Sequence, residues 1–335
     1  MISKTAQSWQ HPVSWQTALA QAIRDPAELL QRLSLPLDLL PAAQAAARLF
    51  PLRVPHSYLQ RIQPGDPDDP LLRQVLPLAE ECALTDEGVA DPVGDLNAMA
   101  SPGLLHKYHG RALLVTTGAC AIHCRYCFRR HFPYASSNPL HQHREATLAY
   151  LREHTQLNEL ILSGGDPLSL PDSQLAAWVR ECESLPHLQI LRLHTRLPVV
   201  LPERVDDALC QWLSATRFRT VIVLHINHPR EIDTTVGRAI QALRDSGVTL
   251  LNQSVLLRGV NDSVATLAEL SQTLFAHGVL PYYLHQFDPV QGAMHFAVPL
   301  GEGQAMVAAL RTRLPGYLVP KYVQEIPGMA AKYPV

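Results

Sequence analysis

Three of the chain's six cysteines, Cys120, Cys124 and Cys127, stand within eight residues in the stretch GACAIHCRYCFRRHFPY, among Arg125, Arg129 and Arg130. Their spacing is C-x3-C-x2-C. Three thiolates at such spacing can hold three irons of a cubane [4Fe-4S] cluster and leave the fourth iron open to a non-protein ligand. A closed structural zinc site takes four ligands, and no fourth cysteine or ordered histidine pair completes one here. His123 and His131 nearby are expected as loop histidines exposed to solvent. Farther along, SGGDPL, Ser163 to Leu168, has two glycines that let the backbone approach a ligand closely. Taken alone, the same stretch is also the composition of a βα turn.

These residues need a scaffold, and the hydrophobic pattern supplies one. From residue 111 onward, short β-branched or Leu-rich runs (ALLVTT, ELILSGG, LQILRLHT, RTVIVLHIN, VTLLNQSVLL, VLPYYLHQF) alternate with helical stretches such as EATLAYLREH and EIDTTVGRAIQALRDSG. Strand and helix in alternation imply parallel strands joined by crossover helices. Six units can be counted where eight would close a standard barrel. The expected fold is therefore α/β, a partial (β/α)6 TIM-type barrel with its site at the C-terminal ends of the strands. A doubly wound open sheet is the alternative. Residues 1–105 read as a helical, Pro-punctuated region without evident strands, in which Asp25 caps a helix with Pro26 in its first turn. Residues 106–335 form the barrel region.

Composition excludes several function classes. The 335 residues are 47% hydrophobic with a formal charge of -2, so nothing favours nucleic acid or an anionic membrane as partner. No apolar run is long enough to span a bilayer, and MISKTAQSWQHPVSWQ lacks the apolar centre of a secretion signal. A cytoplasmic location is expected, where clustered cysteines point to metal or catalysis before disulfides. Cys82, Cys182 and Cys210 stand apart as thiols without a role.

The motif C-x3-C-x-aromatic-C, with Tyr126 as the aromatic, resembles the radical S-adenosylmethionine signature. The resemblance implies that the open iron chelates S-adenosylmethionine, that Gly164, Gly165 and Asp166 belong to the glycine-rich motif holding its methionine end, and that the fold is the six-unit partial barrel. The wider text is closer still. LLHKYHGRALL, CRYCFRRHF, SGGDPL, LPVVLPERV, HINHPREI, LNQSVLLRGVND and YYLHQFDPVQGAMHF, in that order and spacing, resemble the lysine 2,3-aminomutases over residues 50 to 335. That family uses pyridoxal 5'-phosphate with the radical and moves an amino group from Cα to Cβ.

The family resemblance implies site residues in this chain. Lys332, one of the scarce lysines, matches the Schiff-base lysine, and the apolar, β-rich text YLVPKYVQEIPG before it suggests a docked tail. A lysine at a desolvated barrel mouth can form imines. Arg129 matches the position that pairs with the substrate carboxylate, a task suited to a guanidinium fork. Asp288 and Glu325 match the acidic pair around the substrate's ε-ammonium, which favours a diamino substrate. Glu325 departs from the aspartate of the longer clostridial-type enzymes. Lys107, Tyr108 and Arg111 match a basic segment near the cofactor phosphate, and Asn252, Gln253 and Ser254 are polar groups on a strand that need partners.

The longer aminomutases also carry structural zinc on a cysteine of the VND loop and a C-terminal cysteine cluster. Here the loop reads Val260-Asn261-Asp262-Ser263, and no zinc is expected. The chain resembles the short bacterial form, which implies an isomerase making (R)-β-lysine from L-lysine for attachment to elongation factor P, with links to its lysyl ligase and to a reducing electron donor. A lysine 2,3-aminomutase of catabolism or natural-product synthesis shares every residue and differs in pathway. A noncatalytic iron-sulfur sensor would need the cysteines but not Lys332, Arg129 or Asp288. A zinc-binding interaction module would be colourless and carry stoichiometric zinc.

Overall fold

The computed structural model describes residues 13–83, 87–137 and 143–335; most of the segment read for a targeting signal lies outside the described residues. Among the described residues, ten strands form one sheet in strict sequence order. They are β1 (Met99–Ser101), β2 (Leu104–Tyr108), β3 (Arg111–Thr117), β4 (Glu159–Gly164), β5 (Ile190–Thr195), β6 (Arg219–His225), β7 (Thr249–Val255), β8 (Leu280–His285), β9 (Lys321–Gln324) and β10 (Tyr333–Pro334). All neighbours from β3 to β9 pair in parallel, while β1, β2 and β10 add antiparallel edges. A doubly wound sheet reverses its strand order at a switch point; this one never does. It winds in one direction as a partial barrel.

The helices are α1 (Trp15–Ala20), α2 (Pro26–Arg32), α3 (Leu40–Leu49), α4 (His56–Leu59), α5 (Pro70–Arg73), α6 (Arg144–Glu153), α7 (Asp172–Glu183), α8 (Leu197–Val200), α9 (Asp207–Ala215), α10 (Thr234–Asp245), α11 (Val264–Ala276) and α12 (Leu300–Arg313). Side-chain caps fix several starts. Asp25 accepts from the Ala27 N–H ahead of Pro26, and Asp206, Asp233 and Ser263 do the same for α9, α10 and α11. One hydrophobic cluster runs from Trp15, Ile23 and Leu30 through Tyr58 and Leu72 to Leu162, Leu193, Leu224 and Ile240, so the N-terminal helices pack on the barrel's side.

Two expectations need correction, the strand content before residue 105 and the number of parallel strands. The region up to residue 105 does contain strand: β1 and the start of β2 lie there, and Ile23 bridges Val54. β2 and β3 make a hairpin whose Tyr108 and Arg111 pair across His109-Gly110, with Gly110 at φ 75°, so the basic segment is strand-borne. A helix, α12, and a seventh parallel strand, β9, follow the six counted strands; Gly301 and Gly303 in the first turn of α12 hide its helical pattern.

Strand periodicity builds the site. Alternate side chains point to opposite faces. Leu160, Leu162, Leu191, Leu193 and Leu250 are buried, while the intervening Ser163, Arg192, His194, His225, Gln253, Tyr283 and His285 line an interior cavity.

Candidate active site

The C-terminal ends of the parallel strands open on a cavity of about 370 Å³. Its lining includes Cys120, Cys124, Cys127, Tyr126, Gly164, Gly165, Asp166, Arg129, Lys107, Tyr108, Arg111, Asp288, Glu325 and Lys332. Residues from Asp95 to Lys332 thus face one space.

The cysteine loop follows β3 and is held by its arginines. Arg125 donates to both oxygens of Glu81, at 2.8 and 2.6 Å, and Arg130 donates to the same carboxylate at 2.8 Å and to the Gly292 carbonyl at 2.7 Å. Arg125 and Glu81 are fully buried as side chains. Such a pair holds geometry, because removing either member strands a charge in the interior. His123 is not the exposed loop residue expected: it is half-buried, its Nδ1 2.8 Å from the Pro51 carbonyl. His131 is exposed. Cys182 is buried in α7, and Cys210 is half-buried in α9.

The three thiols fit an iron-sulfur cluster by their chemistry. Burial, and next the neighbouring Cys127, push the Cys120 thiol well up; burial and Cys124 push Cys127 up to about 11. All three thiols are half-buried and line one cavity, a donor set suited to an iron-sulfur cluster. Beside them, Gly164 has φ 123°, and a Cβ on Gly165 would stand 2.4 Å from the Ala119 carbonyl oxygen. Only glycines permit this approach. The Asp166 carboxylate is directed into the protein: it accepts from Thr195 Oγ1 at 2.7 and 2.9 Å, Arg196 N at 2.7 Å, Leu168 N at 3.0 Å and Leu197 N at 3.1 Å. Burial pushes it up to about 6 against these donors. Tyr126 accepts from Asn227 Nδ2 at 2.7 Å and packs edge-on against Phe296.

Charges alternate along the opposite wall. Arg129 Nε donates to Asp95 Oδ2 at 2.6 Å, and its Nη1 donates to Ser163 Oγ at 3.2 Å. Lys107 Nζ lies 2.6 Å from Asp95 Oδ1 and 2.8 Å from Glu325 Oε1; Glu325 Oε2 accepts from Lys332 Nζ at 2.6 Å. Burial works against the Glu325 charge, but Lys332 and Lys107 draw its carboxyl down to about 2. For Asp288 the same two lysines act downward but are outweighed. Burial, then the Glu325 charge, push it up to about 7. Among the described residues no cation pairs with Asp288, and none of the acids pairs with Arg111, whose guanidinium lies 4.6 Å over the Tyr108 ring.

Sequence reading missed Asp95, which joins Arg129 to Lys107 and is 2% exposed. It also missed Arg196, whose Nη1 donates to Cys124 Sγ at 2.8 Å, and the imidazoles of His194, His225 and His285. Burial first of all holds these three imidazoles neutral, His225 at about 3. His194 and His285 each leave a buried Nε2 without a protein partner, so the cavity offers polar groups to a ligand. A histidine on a β-strand carries no sequence signal of its own; the strand alternation was the available clue. Of the polar trio on β7, Gln253 faces the cavity and bonds His225 Nε2 at 2.9 Å, whereas Asn252 turns away and closes on both backbone groups of Ile226.

This set fits pyridoxal phosphate too: a lysine amine reaching the cavity, an uncommitted arginine for a phosphate, and unpartnered ring nitrogens. No helix among the described residues is long and apolar enough to cross a membrane.

Residues 114–270 match the family model of the radical SAM superfamily. The chain is 47% identical over 322 residues to the L-lysine 2,3-aminomutase of Escherichia coli strain K12, covering 96% of this chain and 94% of that one. It is 47% identical over 315 residues to the enzyme of the same name from Haemophilus influenzae, covering 94% and 93% respectively. With the Clostridium subterminale enzyme the identity is 39% over 280 residues, 83% of this chain and 67% of that one. Identity at this level along nearly the whole of both chains gives the family: the chain belongs to the L-lysine 2,3-aminomutases of the radical SAM superfamily.

Proposed function

We propose that the protein converts L-lysine to (R)-β-lysine by a 1,2-amino shift, with a [4Fe-4S] cluster on Cys120, Cys124 and Cys127, S-adenosylmethionine beside Gly164 and Gly165, and pyridoxal 5'-phosphate on Lys332. One observation carries the reading: the thiol loop, the acidic pair and Lys332 share a single cavity. When bound, the cluster and S-adenosylmethionine would supply a radical that removes and returns a hydrogen atom, and pyridoxal phosphate would supply an aldehyde to hold the amino nitrogen as it moves from Cα to Cβ of the substrate.

The chain's own residues supply position and charge. Glu325 points the Lys332 amine into the cavity at 2.6 Å. Glu325 and Asp288 would hold the ε-ammonium of the substrate between two carboxylates. A diamino acid satisfies both; an acidic substrate would meet two like charges. Arg129, made rigid by Asp95, presents its guanidinium to the substrate carboxylate. Arg111 and Tyr108 take the phosphate, while Lys107 acts as the cation between Asp95 and Glu325. Asp166 holds the shape of the glycine turn, leaving backbone groups to meet S-adenosylmethionine. Buried walls keep water from reactive species.

The product's use in modifying elongation factor P, through its lysyl ligase, is the pathway we favour over catabolism. Nearly full-length alignment with the Escherichia coli and Haemophilus influenzae enzymes supports the short form, against 67% coverage of the clostridial one.

The test uses anaerobically reconstituted protein with lysine, S-adenosylmethionine, pyridoxal phosphate and dithionite, scoring β-lysine by chiral chromatography. (R)-β-Lysine from wild type, with none from Lys332→Ala and no visible imine absorbance in that variant, is expected. Cleavage of S-adenosylmethionine with lysine unchanged would overturn the substrate assignment through Asp288 and Glu325.

A further inference from the structure

Arg196 sits just past the end of β5 and is 5% exposed. A buried guanidinium opposite a carboxylate usually pairs through two parallel hydrogen bonds. Arg196 does not. Nη2 donates to Glu231 Oε2 at 2.9 Å and to Gln74 Oε1 at 2.6 Å, and Nη1 is turned away from the acid, 2.8 Å from Cys124 Sγ. The fork is clamped in this pose. Its Cζ lies 5.6 Å from the ring centroids of both Tyr58 and Tyr126, and its backbone N–H donates to Asp166.

The clamp is itself braced from several parts of the chain. Gln74 Nε2 donates to Glu231 Oε1 at 3.2 Å, and Asn227 Nδ2 donates to Gln74 Oε1 at 3.0 Å and to Tyr126 Oη at 2.7 Å. Glu231 Oε1 also accepts from the backbone of Asn227 and His228. Glu231 is therefore well satisfied without a second bond from Arg196, which leaves the geometry facing the sulfur unexplained by ion pairing alone.

We infer that Arg196 is a positioning residue that sets the electron affinity of the cluster. The inference rests on the cluster reading above. The guanidinium keeps a positive charge and an N–H donor against the Cys124 sulfur, in a water-poor setting where both act strongly. Accepting one electron from a low-potential reductant adds one negative charge at this place. An adjacent cation and an N–H···S bond favour the state with the added electron, and cluster potentials respond to both. Tyr58 and Gln74, from the N-terminal helical region, and Glu231 hold the donor on target.

The experiment compares wild type, Arg196→Lys and Arg196→Met after anaerobic reconstitution. It measures iron and sulfide per chain, and the midpoint potential from the electron paramagnetic resonance signal of the reduced protein during a redox titration. With iron content unchanged, Arg196→Met is expected to shift the potential to more negative values, and Arg196→Lys to restore part of the shift. A double variant, Arg196→Met with Glu231→Gln, leaves no buried carboxylate uncompensated and takes the same measurement if the single variant folds poorly. An unchanged potential in any iron-loaded variant lacking the arginine overturns the inference, as does loss of iron from both Met variants, which assigns Arg196 to the scaffold alone. Absence of iron from wild type would instead overturn the cluster reading.

Discussion

Lys107 on β2 and Glu325 just after β9 meet at 2.8 Å across the open side of the barrel. The sheet ends at β1 and β10 and does not close by hydrogen bonds there. Charge does the closing: Arg129, Asp95, Lys107, Glu325 and Lys332 alternate in sign along one connected line.

Replacing Lys107 by methionine breaks that line at its middle and leaves Asp95 and Glu325 facing each other's charge. Removing one partner of a buried pair costs about 3–5 kcal/mol. The expected outcome in chemical denaturation is a loss toward the lower end of that range, since Lys107 keeps 16% of its side-chain surface. Double replacement with Glu325→Gln should recover part of the loss.

The acidic pair gives opposite pH dependences. Asp288 ionises at about 7 in the folded chain against an ordinary 3.8, so its contribution favours the fold below about 4 and is lost as pH rises to 7. Glu325, at about 2 against 4.5, contributes above 4.5 and is lost as pH falls toward 2. Asp288→Asn should therefore raise the melting temperature at pH 8 and leave it nearly unchanged at pH 4. For wild type, kcat/KM for lysine should fall as pH drops below 7, because a protonated Asp288 cannot pair with the ε-ammonium. A flat profile between pH 6 and 8 would count against Asp288 as a substrate ligand.

Glu81 anchors two arginines of the cysteine loop. Glu81→Gln removes the buried carboxylate shared by Arg125 and Arg130 and leaves them a neutral amide and backbone carbonyls. Iron retention after desalting should drop sharply, and the melting temperature with it. An iron content equal to wild type would show that the thiols hold their places without this anchor.

The glycines separate by site. Gly165→Ala puts a methyl carbon against backbone, 2.4 Å from the Ala119 oxygen and 2.8 Å from the Gly118 carbonyl carbon, so the turn must shift. Binding of S-adenosylmethionine, read by equilibrium dialysis, should weaken at least about tenfold, or 1.4 kcal/mol. Gly301→Ala in α12 meets open space and should be neutral or stabilising by up to about 1 kcal/mol.

Six parallel strands of the barrel, β3 to β8, were legible in the sequence, and the seventh, β9, was not. Periodicity marks a strand because burial on alternate faces is a local constraint, and C-x3-C-x2-C marks a cluster loop because the ligands are close in the chain. The expected lining residues reach one cavity because the strands and the loops that follow them converge there. Three things were decided only by the fold. Asp95 acquires its place from Arg129 and Lys107, which contact it from other segments. Lys107 is committed to two carboxylates although its text reads as a phosphate contact. Arg196 meets a sulfur 72 positions earlier in the chain. Charges and hydrogen bonds act through space, so a side chain's partners, and hence its protonation and its role, exist only once distant segments have been brought within a few ångströms.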